Sequence, residues 1–103
     1  MPDDQHHTFE IFPIAKLEQL FANLFEQWAA KGLNENARLR LDEVAGTHAA
    51  GQVPKSSRIR DFADPEGRPQ YFVRVHGAGL HYAVDAAQKC VLITRIDMPR
   101  WEE

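Results

Sequence analysis

Between Ile14 and Lys31 the large apolar residues Ile14, Leu17, Leu20, Phe21, Leu24, Phe25 and Trp28 recur at spacings of three and four. That period predicts an amphipathic helix with one wide apolar stripe, and such a stripe must be buried against a second apolar layer. Gly32 stands where a helix commonly ends in a left-handed residue. Asn34 is expected to cap a second helix running to about Ala49, with Ala37, Leu41, Val44 and Ala45 turned inward. Gly46 weakens that helix and Gly51 is expected to close it.

The covering layer is expected from segments of alternating character. Thr8 to Phe12 reads as a short strand with Phe9 and Ile11 on one face, ended by Pro13, which suits the first helical turn that follows. After the loop Val53-Pro54-Lys55-Ser56-Ser57 the pattern becomes extended, and Asp64-Pro65-Glu66-Gly67 signals a turn. Tyr71, Val73 and Val75 alternate with Phe72, Arg74 and His76; Gly77-Ala78-Gly79 is read as a turn. Leu80, Tyr82 and Val84 then alternate with His81, Ala83 and Asp85. Ala87-Gln88-Lys89 turns the chain again, and Cys90 to Asp97 is the last strand. Turns this short make the strands antiparallel. The expected fold class is therefore α+β: an N-terminal strand, a two-helix hairpin and a three-stranded antiparallel meander, four strands in one sheet. With 103 residues, a single domain is expected, residues 1–7 forming a flexible tail.

Hydrophobic residues at 44% and charged residues at 26% fit a folded protein and exclude disorder as the main state. No apolar run approaches the ~20 residues of a membrane-spanning helix, and Met1-Pro-Asp-Asp opens with acid where a secretory signal carries base. A cytoplasmic location without membrane contact is expected. Cys90 is the single cysteine, so neither an internal disulfide nor a thiolate metal cluster is available; no metal and no cofactor are expected. Without a paired base Cys90 is not read as a nucleophile, and His6-His7 is read as polar tail rather than as a metal site.

Twelve Lys and Arg against fifteen Asp and Glu give a formal charge of -3, which argues against indiscriminate, charge-driven nucleic-acid binding. The balance is uneven along the chain. Residues 1–53 hold four basic and eight acidic residues, whereas Lys55, Arg58, Arg60, Arg68 and Arg74 in residues 54–74 face only Asp61, Asp64 and Glu66.

This element order, with Arg58-Ile59-Arg60-Asp61-Phe62, the stretch Gln70 to Asp85 and Val91-Leu92-Ile93-Thr94, resembles the RelE/ParE superfamily of bacterial toxins over nearly the whole chain. The resemblance implies a toxin of a toxin–antitoxin pair, bound by a cognate antitoxin protein. Its target would be messenger RNA on the ribosome, cleaved by a metal-independent endoribonuclease, or DNA gyrase in the ParE branch. Carried onto this sequence, it places Arg74 and His76 among the basic residues of the second strand, and His81 where nucleolytic members carry an arginine after the turn. Ile96-Asp97-Met98-Pro99-Arg100-Trp101 replaces the family's closing segment of glycine, basic residue and then tyrosine or histidine; Arg100 matches its basic residue.

Cleavage through the ribose 2′-hydroxyl needs a proton acceptor, a proton donor and cations for the charged phosphorane, and Arg74, His76 and His81 are the candidate catalytic set. Imidazoles titrate near neutrality and so serve either proton transfer. Arg58, Arg60, Arg68 and Arg100 are the candidate RNA-binding rim, with Tyr82 or Trp101 as stacking rings. The competing reading makes the histidines polar positions on a solvated sheet, pairs the arginines with Asp61, Asp64 and Glu66, and puts Tyr82 in the core with Leu80 and Val84. On that reading the chain is a noncatalytic protein-interaction module, either gyrase-binding or a degenerate relative.

Overall fold

The computed structural model describes residues 9–59 and 67–100. It is an α+β fold of two helices and a five-stranded mixed sheet, with elements β1 (Glu10–Pro13), α1 (Glu18–Ala30), α2 (Asn34–Ala49), β2 (Ser57–Ile59), β3 (Gln70–Val75), β4 (Ala78–Asp85) and β5 (Cys90–Asp97). The strand order is β1-β5-β4-β3-β2; β1 runs parallel to β5 and all other pairs are antiparallel. The meander therefore has four strands rather than three. The added strand β2 starts at Ser57, the last residue of the expected loop; its three residues are too few to show alternation, and it is held by pairing with β3 at Ser57–Val73, Arg58–Phe72 and Ile59–Tyr71. The expected flexible tail at residues 1–7 and most of the Asp64–Gly67 turn lie outside the described residues.

Leu24 and Trp28 of the α1 stripe are fully buried, and Leu17, Leu20, Phe21 and Phe25 pack against the same core at its margin. The stripe begins in a short 3-10 turn, Ala15–Leu17, rather than in α1 itself. Pro13 is the last residue of β1 instead of the first helical residue, a place an edge strand tolerates because proline has no N–H to donate. Asn34 lies inside α2, whose preceding cap residue is Leu33, and no side chain caps the helix. Ala37, Leu41, Val44 and Ala45 are buried as the spacing predicts. Gly32 (φ 72) and Gly51 (φ 82) end the two helices in the left-handed conformation. Each is followed by the paired backbone bonds that close the terminal turn, Leu33 to Trp28 and Gln52 to Thr47.

Two local features differ from strict alternation. The β3–β4 hairpin turns on His76 (φ 44) and Gly77 (φ 84), with Val75 and Ala78 already paired. Two successive positive φ values define the type I′ turn that matches strand twist, so His76 belongs to the turn and not to the strand. In β5 the register shifts opposite His81 and Tyr82: Ile93 partners Tyr82 and Arg95 partners His81, leaving Thr94 as the extra residue. This bulge lets Val91, Ile93 and Ile96 all reach the core, and it puts Arg95 and Asp97 on the opposite face. No helix among the described residues is long and apolar enough to cross a membrane.

Candidate functional site

α1 and α2 cover one face of the sheet, and the alternate strand residues define the other. On that second face the register lines up Arg58, Phe72, His81 and Arg95 as neighbours across β2, β3, β4 and β5. The next row holds Arg74, Gly79 and Asp97. Strands about 4.8 Å apart bring such partners into side-chain reach, and the contacts follow. His81 Nε2 lies 3.1 Å from Asp97 Oδ2, and Arg95 Nε donates to Asp97 Oδ1 at 3.1 Å. The His81 ring sits 4.7 Å from that of Phe72, and the Arg74 guanidinium lies 5.6 Å from the Phe72 centroid. His81 is largely covered, its side chain 13% exposed, whereas Asp97 is 47% exposed. The hydrogen bond from His81, with help from Arg95, holds the Asp97 carboxyl below its ordinary range, so it persists as a carboxylate.

Beside this pair a cleft of about 660 Å³ is lined by Arg74, Gly77, Ile96, Asp97, Met98 and Arg100. Gly77 makes room for the segment after β5: a Cβ there would stand 3.2 Å from Pro99 Cβ. Arg100 is thereby brought to the same cleft as Arg74. One carboxylate and two guanidiniums at its wall, with an imidazole bonded to that carboxylate, form a setting for an anion such as a phosphodiester.

Of the sequence-predicted set, Arg74, His81 and Arg100 converge here and Arg58 shares their face. His76 does not. Its place in the turn carries its ring to the helix side, where Nε2 is 2.8 Å from Asn36 Oδ1 and the ring is 6.4 Å from Trp28. Arg68 also stands apart: it lies 3.6 Å from Asp85, four residues along β4 from His81 and so about 13 Å away. Arg60 and Trp101 lie outside the described residues. Tyr82 is 1% exposed and is a core residue, its hydroxyl donating to Ser57 Oγ at 2.7 Å and lying 2.8 Å from His48 Nε2. Cys90 is buried, which raises its thiol pKa and keeps it unreactive.

Asp97 and Arg95 are site residues that alternation missed, whereas alternation does place Phe72 on one face with Arg74. Strict alternation from Val91 and Ile93 sends residues 95 and 97 to the core; the apolar step of three from Ile93 to Ile96 is the sequence signal of the bulge. Among the described residues no group of three or more His, Cys, Asp or Glu could hold a metal ion. No family model, no curated protein and no solved structure matches the chain.

Proposed function

We propose that this chain is the toxin of a bacterial toxin–antitoxin pair, cleaving messenger RNA on the ribosome and neutralised by a cognate antitoxin protein. The observation that carries the reading is the His81–Asp97 pair set beside a cleft walled by Arg74 and Arg100. In the reaction His81 takes the proton of a ribose 2′-hydroxyl. The 2′-oxygen attacks the adjacent phosphorus, the bond to the 5′-oxygen breaks, and the imidazolium returns its proton to that leaving oxygen. The products are a 2′,3′-cyclic phosphate and a 5′-hydroxyl. Asp97 orients the ring and offsets the positive charge it gains, as a carboxylate does for a catalytic histidine; Arg74 and Arg100 offset the charge that builds on the phosphorane. Arg58 and Arg95 extend the cationic face for neighbouring phosphates.

Primer extension on ribosome-bound messenger RNA after induction tests this. His81→Ala is expected to lower cleavage by roughly 10²-fold or more with the fold intact, because a proton-transfer group acts mainly in the transition state. Equal cleavage by both proteins rejects His81 as catalytic.

The second reading, a noncatalytic interaction module such as a gyrase-binding toxin, is favoured by one observation. His76, the second proton-transfer group of the nuclease set, is bonded to Asn36 on the helix side and leaves His81 alone. Growth arrest without cleavage supports that alternative.

A further inference from the structure

Gly79 is the second residue of β4 and is buried, yet its φ is not positive. A strand glycine that needs no special conformation weakens its strand and gives no side chain to pack, so it commonly marks a close approach. Here the approach comes from two sides. A Cβ at position 79 would stand 2.9 Å from Phe72 Cε1, closer than such contacts allow, with tight approaches of 3.1 Å to Phe72 Cζ and 3.3 Å to Asp97 Oδ2. The ring of Phe72 and the carboxylate of Asp97 thus both fold over the bare backbone of Gly79. Both also touch His81, the ring at 4.7 Å and the carboxylate by a hydrogen bond at 3.1 Å.

We propose that Gly79 is a positioning residue: the space left by its missing side chain accommodates the Phe72 ring over β4, so that the ring does not displace the His81 imidazole from its bond to Asp97. The catalytic meaning of this device rests on the nuclease reading above, but its physical content does not. A methyl group at 79 forces the Phe72 ring outward, and the ring pushes His81 off Asp97. Removing the ring relieves the crowding, because the remaining 3.3 Å contact to Asp97 Oδ2 asks only a few tenths of an ångström of an exposed carboxylate.

The measurement is an NMR titration of the Asp97 carboxyl carbon in wild type, Gly79→Ala and the Gly79→Ala/Phe72→Ala double variant. Wild type titrates below the ordinary aspartate range, Gly79→Ala moves the midpoint up toward it, and the double variant moves it back. Where wild type cleaves messenger RNA, Gly79→Ala also lowers the rate, by up to about 10²-fold for a displacement near 1 Å. An Asp97 midpoint unchanged in Gly79→Ala overturns the proposal, and so does a double variant that stays shifted. Should the single variant fail to fold, the double variant decides: folded with a wild-type Asp97 midpoint it supports the proposal, otherwise it overturns it. Absence of cleavage by wild type rejects the nuclease reading while the carboxyl titration still tests Gly79.

Discussion

Val73, Val75, Leu80, Tyr82, Val91 and Ile93 are buried on the helix side of β3, β4 and β5, while their strand neighbours Phe72, Arg74, His81 and Asp97 stand on the other face around one hydrogen-bonded pair. The two faces share a backbone and alternate in parity up to the Thr94 bulge, which reverses it, yet one follows volume and the other charge and direction. On the helix side even the polar groups are enclosed: His48 of α2, Tyr82 and Ser57 form a chain of bonds of 2.8 and 2.7 Å. Tyr82 donates to Ser57, so its oxygen accepts from the Nε2–H of His48, and burial favours the neutral form of that imidazole. On the open face Arg74, Arg95 and Asp97 are exposed, while His81 is largely covered. The difference teaches that stability and the candidate chemistry are separable here, and substitutions on either face should show it.

The largest expected effect is on the covered face. Trp28→Ala removes a fully buried ring that packs edge-on to Phe25 at 5.1 Å, and should cost about 3–5 kcal/mol in urea unfolding. Tyr82→Phe comes next. It leaves the His48 N–H and the Ser57 hydroxyl without their shared partner, and a loss of about 1–3 kcal/mol is expected in the same assay.

Acid should sharpen the contrast. Burial lowers the His48 pKa from its usual 6.5, so the unfolded chain binds the proton more readily than the folded one. Stability is therefore complete above pH 6.5 and falls as pH drops below it toward the folded value. Urea midpoints at pH 7.5 and 5.5 check this; the drop should shrink in His48→Gln. The smallest effect on stability belongs to the open face. Arg58→Ala, at an exposed position on the short strand β2, should change unfolding free energy by about 0.5 kcal/mol or less. If this face binds RNA, the variant should still reduce the salt dependence of binding, which filter binding across a salt series measures.

Local regularities in the sequence determined the helical hairpin, its inward residues Ala37, Leu41, Val44 and Ala45, the bounds of β5 and the antiparallel order of the C-terminal strands. Each follows from a periodicity or a turn signal within a few residues. The place of Arg74 and His81 on one face was legible for the same reason. What sequence reading missed depends on partners far along the chain. β2 exists because β3 offers it an edge. His76 leaves the strand because the hairpin closes in two residues and Asn36, forty positions away, receives its ring. Thr94 is extruded because Tyr82 and Leu80 both need β5 partners on the core side, and this alone turns Asp97 toward His81. Side-chain parity is a local property only while a strand stays regular; one inserted residue reverses it, and tertiary packing decides where that residue goes.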